Sequence, residues 1–279
     1  MEPRSRSFYL LALFFTLFVL FLYGPVFTIG LLSFQGPSGG LTFPMNGFSF
    51  HWFINLFQEQ AVGDFWGALK RSLTLGTMVM TVTVILSVAG GLAYRQKFRG
   101  SSVLFYLVIA SLIIPSILVS LGVGLIFNIV DLEVHWATSG FGAQLTWTLP
   151  FGLLIMFAVF NRFDRSYEEA ARDLGATSWQ TFRHVVLPLI APSLIGIALF
   201  GFTLSYDEFA RTLLTSGSYN TLPLEIFGMT TNVTTPVLYA LGTLTTIFSF
   251  FLIGTFLLLA VWVTRRRTKS GADAEKGIN

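Results

Sequence analysis

The sequence predicts an all-α integral membrane protein with six transmembrane helices. Three observations carry this: 53% of the 279 residues are hydrophobic and only 11% charged, the apolar residues fall in long runs, and those runs lack strand-like alternation. A soluble domain typically carries about a quarter charged residues. The 30 Phe residues suit a surface bathed in hydrocarbon rather than water. Cysteine is absent, which excludes disulfide frameworks, thiolate metal sites and cysteine nucleophiles and leaves the redox compartment undetermined.

A helix needs about 20 predominantly apolar residues to cross the hydrocarbon, where an unpaired backbone group costs several kcal/mol. Six segments reach that length: Phe8 to Leu32, Ser72 to Tyr94, Ser101 to Ile129, Phe141 to Phe160, Leu187 to Tyr206 and Leu238 to Val263. The first follows Arg4 and Arg6 as a secretory signal would. Its apolar run is longer than a signal core and no small-residue cleavage pattern follows, so it reads as an uncleaved anchor. Pro25, Pro115 and Pro150 sit inside or at the edge of spans, where neighbouring helices can restore the lost hydrogen bonds.

With six spans the termini and the even-numbered connections share one side. That side holds Arg4, Arg6, Arg95, Lys97, Arg99, Arg162, Arg165, Arg172, Arg183, Arg265, Arg266, Arg267, Lys269 and Lys276, 14 of the 17 basic residues. Lys70, Arg71 and Arg211 are the exceptions. The positive-inside bias makes the basic side cytoplasmic. The net charge of +3 therefore reports topology, and nucleic acid is not expected as a partner. The expected layout is a cytoplasmic N-terminus over 1–7, a membrane domain over 8–263 and a cytoplasmic, frayed polar tail over 264–279.

Outside, residues 33–70 begin with Gly36, Pro37, Gly39 and Gly40 and continue with Phe50, His51, Trp52, Phe53, Phe57 and Trp66. This aromatic half reads either as an amphipathic helix in the interface or as ordinary packing. Trp52, Trp66, Trp136 and Tyr206 could stack on a substrate cation or anchor the interface. His51, His135 and His184 are too scattered for a metal site. Gly122 and Gly124 read as points of close helix packing.

The connection over 161–188 is unusually polar, carrying Arg162, Asp164, Arg165, Glu168, Glu169, Arg172, Asp173 and Arg183. It reads as helix, turn, helix. Ser166 can cap the first helix, with Glu169 three residues on in a capping-box pattern. Gly175 permits a tight turn. Thr177 or Ser178 can cap a second short helix that carries Trp179, Phe182, Val185 and Val186 and ends before Pro188. Such a loop is either solvated surface with mutually neutralising charges or a protruding docking element. No Gly-x-x-x-x-Gly-Lys-Ser/Thr phosphate loop occurs anywhere in the chain.

Glu169-Ala170-Ala171, then Gly175, Val185 and Leu187-Pro188, resembles in spacing the EAA loop of binding-protein-dependent ABC importer permeases, whose usual form has Ile where Val185 stands. The resemblance implies that this loop docks in a cleft of a separate ATP-binding subunit through Glu169, Ala171 and Gly175. Glu168, Ala170, Asp173, Ala176, Trp179, Phe182 and Pro188 would belong to the same coupling surface. It further implies a multi-pass protein of the bacterial inner membrane with both termini cytoplasmic. Its partners would be a second homologous permease subunit, two ATP-binding subunits and a soluble substrate-binding protein. ATP and Mg would sit on those partners, with no cofactor or catalytic residue in this chain.

Asp207 and Glu208 close the fifth span's apolar run beside Ser205 and Tyr206, with Arg211 following. They form either a substrate-attracting carboxylate pair or an interfacial cluster satisfied by Arg211 and water. Ser205-Tyr206-Asp207-Glu208-Phe209, Gly217, Thr221-Leu222-Pro223, Pro236 and Ala240-Leu241 resemble the second permease of spermidine/putrescine importers, a likeness extending over nearly the whole chain and including Gly90 to Gly100. That implies a cationic solute such as a polyamine. Where that branch usually has an acid after Ile114-Pro115, this chain has Ser116, which keeps an opine, amino-acid derivative, phosphonate or ferric ion open. A self-sufficient carrier would instead need mid-membrane coupling residues or inverted repeats, and neither is evident; a purely structural membrane subunit would leave the polar loop unexplained.

Overall fold

The computed structural model describes residues 5–57, 63–96, 98–232 and 236–276. Arg4, Lys97 and the last three residues of the tail lie outside the described residues. Hydrocarbon leaves a backbone only its own hydrogen bonds, and the described residues are accordingly helical with no strand. The helices are α1 (Arg6–Leu32), α2 (His51–Asn55), α3 (Phe65–Tyr94), α4 (Ser101–Ile113), α5 (Ser116–Ile129), α6 (Phe141–Asn161), α7 (Ser166–Asp173), α8 (Ser178–Thr181), α9 (Leu187–Tyr206), α10 (Leu222–Asn232) and α11 (Val237–Lys276). Two π-helical turns, Trp136–Gly140 and Phe182–Val186, lead directly into α6 and α9.

Five described helical stretches are long and apolar enough to cross a membrane, and α4 with α5 forms a sixth candidate bent by 105°. The apolar run from Ser101 to Ile129 keeps its bounds but is bent at Pro115 rather than continuous. At Ile114 the chain is extended and Pro115 opens the next helix, because proline excludes the helical conformation from the residue before it. At 13 and 14 residues, each arm is about 20 Å long, short of the ~30 Å hydrocarbon core.

The chain forms two compact units, Met1–Asp64 with Ile226–Phe251, and Phe65–Glu225 with Leu252–Asn279. The first contains α1, whose side chains are almost all exposed as lipid contact requires, and the outer loop. In that loop Phe34 stacks on Phe48 at 4.9 Å, and the Tyr239 hydroxyl donates to the Leu41 carbonyl at 2.7 Å. Of its aromatic half, His51–Asn55 is helical and Trp66 falls in the first turn of α3, while Phe34, Phe48, Phe50 and Phe53 pack on one another.

The second unit is built on α3, α6 and α9. α3 buries Phe65, Ala68, Ser72, Leu75, Val79, Thr83, Ser87 and Gly91, one stripe at helical spacing. Small residues on that stripe let the neighbouring helices approach, and the Thr83 and Thr148 hydroxyls meet at 2.9 Å in the buried interior. Toward the polar loop Met156, Phe160, Val186, Ile190 and Ile197 form the apolar core. α3 starts at Phe65 rather than Ser72, so Lys70 and Arg71 lie on its first turns; Arg71 Nε donates to the Asn220 carbonyl at 2.7 Å. Gly124 lies so near the Leu214 carbonyl that a Cβ would sit 2.8 Å from its oxygen, whereas Gly122 faces open space. α11 continues to Lys276, so the backbone of the expected frayed tail is helical that far.

Replacing Ile190, 1% exposed, by Ala should lower the melting temperature of the purified protein by the equivalent of about 2–4 kcal/mol. Phe200→Ala, at a ring that is 52% exposed, should leave it nearly unchanged.

Candidate functional site

The polar loop folds as the sequence order demands, with one difference at its start. α7 begins without a side-chain cap from Ser166, and the expected capping box with Glu169 is not formed. Asp164, two residues earlier, accepts the Ser166 backbone N–H at 2.9 Å and pre-empts that role. This backbone hydrogen bond, with a further one from the Ser166 hydroxyl, holds the Asp164 carboxyl below the usual carboxylate range. Glu168 and Glu169 occupy the first turn of α7 and Arg172 the last, each favourable to the helix dipole.

At the other end Gly175 takes a left-handed φ of +84°. Its N–H donates to Arg172 O at 2.8 Å and that of Ala176 to Ala171 O at 3.0 Å, a Schellman closure. Thr177, not Ser178, caps α8. Its hydroxyl accepts the Gln180 N–H at 3.3 Å and its own N–H donates to Gln180 Oε1 at 2.8 Å, a reciprocal box in which Gln180 is a residue the sequence reading passed over. The second helix does not stop before Pro188 either. It widens into the π turn over Phe182–Val186 and runs into α9, because the π spacing accommodates a ring that has no N–H and would crowd the carbonyl four residues back.

α7 buries none of its residues. Glu169, Ala170, Asp173 and Gly175 are exposed, and Leu174, absent from the residues singled out in the sequence, is 89% exposed at the tip, with Tyr167 at 56%. Its signal was available, since a leucine just before a left-handed glycine has no helix face to bury it. Phe182 packs on the apolar core, while Trp179, its ring centroid 5.7 Å away, is 66% exposed. Glu168, Glu169, Trp179 and Phe182 share the lining of a cavity of about 1020 Å³ with Arg95, Arg165 and Arg172.

At the far end of α9 two of the candidate pathway residues, Ser116 and Glu208, meet at a buried arginine. Arg211, 1% exposed, donates from Nη1 to Ser116 Oγ at 2.6 Å and from Nε to Thr146 Oγ1 at 3.4 Å, and lies 4.6 Å over the Trp147 ring. Glu208 pairs with it at 3.6 Å and accepts its backbone N–H at 2.9 Å. Ser205 and Tyr206 are buried; the Ser205 hydroxyl donates to Gln144 Oε1, and Tyr206 stacks on Phe202 at 5.8 Å. Asp207 alone of this group is exposed. Trp52 is buried at 8% and Trp66 is 39% exposed. His51, His135 and His184 each bond within their own turn, to Asn55, Ala137 and Gln180.

Five long apolar helices, a sixth bent candidate and an exposed polar α7 define the class as a multi-pass membrane protein. Residues 83–269 match the family of binding-protein-dependent transport system inner membrane components, and the chain belongs to that family: it is a multi-pass permease component of an ABC importer. It is 29% identical over 265 residues to the spermidine/putrescine transport system permease protein PotC of Haemophilus influenzae, covering 94% of this chain and 98% of that protein. With the putrescine transport system permease protein PotI of Escherichia coli K12 it shares 30% identity over 232 residues, 80% of this chain and 81% of that protein. Its fold superimposes with a TM-score of 0.68 on a chain of a bacterial ABC transporter that imports the acidic polysaccharide alginate, at 17% identity over 93% of this chain and 95% of that chain.

Thr177→Ala removes the side-chain acceptor of the second cap and should destabilise α8 by about 1 kcal/mol. Hydrogen exchange of the Thr181 amide, which donates to Thr177 O, should accelerate while that of Ile197 stays as before.

Proposed function

We propose that this chain forms half of the translocation pathway of an importer for a small cationic or zwitterionic solute such as a polyamine, and that α7 and α8 dock on a separate ATP-binding subunit. The observation that carries it is the Leu174 tip, 89% exposed on a helix that buries nothing, yet joined through α8 and the π turn to the core of the membrane unit. In solvent such an apolar side chain gains nothing; in a partner's groove it supplies affinity while the exposed Glu169 and Asp173 set the register. Ala170, Ala171 and Ala176 keep the helix thin enough for close approach. The remaining partners in this reading are a second permease subunit and a soluble substrate-binding protein. ATP and Mg belong to the ATP-binding subunits.

Polyamine import is supported by what the named relatives carry and by Asp207, the exposed carboxylate beside the buried Arg211 cluster. Glu208 is already committed to Arg211, so it counts for less as a cation ligand than its sequence position implies. One observation favours a zwitterion as a second reading: Ser116 brings a hydroxyl rather than a carboxylate to Arg211. In the proposed topology the bent α4–α5 pair makes one crossing, which keeps both termini and α7 in the cytoplasm, with segment 8–263 forming the membrane body.

Gly175→Asp and Leu174→Asp should insert normally but retain roughly tenfold less ATP-binding subunit through purification, the scale of one lost apolar anchor; full retention by both sinks the docking role. Asp207→Asn should raise the KM for spermidine uptake in cells without loosening the ATP-binding subunit, and an unchanged KM clears Asp207 of substrate contact. Because the chain lacks cysteine, single substitutions report sidedness cleanly. Tyr219→Cys should react with an impermeant maleimide in intact cells and Arg183→Cys only after permeabilisation.

A further inference from the structure

We propose that Arg95 is the latch through which movement of α7 is passed to α3, and hence that α3 as well as α9 is driven by the docking loop. The inference rests on the docking role proposed above. α7 buries no side chain, and the contacts that tie it to the end of α3 are polar. That hold centres on Arg95, the residue that follows α3. Its Nη1 donates to Glu168 Oε1 at 2.8 Å, with the two side chains only 12% and 15% exposed. The guanidinium carbon lies 4.9 Å from the Phe160 ring centroid and 5.1 Å from that of Phe163, so aromatic faces at the end of α6 wall the cation. Arg165, just before α7, donates from Nη2 to the Arg95 carbonyl at 3.2 Å, a second strand of the same tether.

Charge is placed to reinforce the pair. Arg95 stands at the negative end of the α3 dipole and Glu168 in the first turn of α7, at the positive end of its own. Partial exclusion of water strengthens the attraction relative to a surface pair, and the rings fix the guanidinium so that little side-chain entropy is lost when it binds. α3 in turn packs along α6 and α9 through its buried stripe. A displacement of α7 therefore reaches the membrane unit by two routes: along the continuous helix into α9, and across the ion pair into α3.

The test uses the intact importer with its ATP-binding subunits, carrying one reporter cysteine at Arg172 on α7 or at Gln96 just beyond α3, and reads the ATP-dependent change in maleimide labelling rate. In the otherwise native chain both reporters should respond. Arg95→Gln should leave the response at Arg172→Cys and reduce that at Gln96→Cys roughly tenfold, the scale of one charge-assisted hydrogen bond. Glu168→Gln should give the same split from the other side of the pair. Arg95→Lys, which keeps the charge and the cation–π contact, should restore most of the response. An undiminished response at Gln96→Cys in either neutral variant, or Arg95→Lys failing as fully as Arg95→Gln, overturns the latch while leaving docking intact. Silence at Arg172→Cys with Arg95 and Glu168 in place overturns docking and the latch together.

Discussion

The continuity of the helix through Pro188 is the constraint on which the membrane unit depends. From Ser178 to Tyr206 the backbone runs as one helical rod of 29 residues, although Pro188 and Pro192 both lie within it and a proline inside a helix normally interrupts it. At Pro188 the π turn over Phe182–Val186 eases the conflict by changing the hydrogen-bond spacing just before the ring. A hinge at that point would absorb a push on the loop. A rod delivers it into the interior, where Ile190 and Ile197 are closed against α6 and the Gly201 backbone approaches Met80 of α3.

The two ends of this rod handle charge in opposite ways. At the loop end, charges are displayed, while Arg95 and Glu168 are drawn partly out of water. At the other end, Arg211 is almost wholly buried, and a guanidinium in that position needs its donors met and its charge balanced. Glu208 supplies the charge, Ser116 and Thr146 the acceptors and Trp147 the face. Ser116 is the first residue after the break between α4 and α5. The arginine thus ties the bend in the third span to the segment following α9, and the same loop is bound again where Ser120 donates to the Arg211 carbonyl at 3.0 Å.

Most of this architecture was legible because its causes are local. Hydrocarbon length sets the long apolar runs, Gly175 sets the turn and Thr177 the second cap, each readable from a few neighbours. What the sequence hid depends on competition or on distance. Ser166 reads as a cap, yet it lies inside α7 and its own N–H is taken by the Asp164 carboxylate two residues earlier. Pro115 and Pro188 look alike in sequence, yet one divides a span by 105° and the other is absorbed by a π turn, since the outcome depends on what packs beside each. Arg95 and Glu168 are 73 residues apart, and Ser116 and Arg211 are 95 apart, so neither pairing has a sequence signature.

The Ser116–Arg211 pairing also changes how an acidic residue in this family's pathway is to be weighed. An acid at position 116 would face the same guanidinium and compete with Glu208 for it, leaving the cluster with one carboxylate more than its single cation can balance. With serine there, Arg211 and Glu208 cancel, and the hydroxyl adds an acceptor without charge. On the proposed polyamine reading, the electrostatic pull on an incoming cation falls to Asp207, which is exposed and is not paired with Arg211. A single carboxylate distinguishes a cation from an anion well and a polycation from a monocation poorly, because the second ammonium group meets no fixed partner. On that reading, discrimination by number of charges would come from elsewhere in the importer rather than from this end of α9.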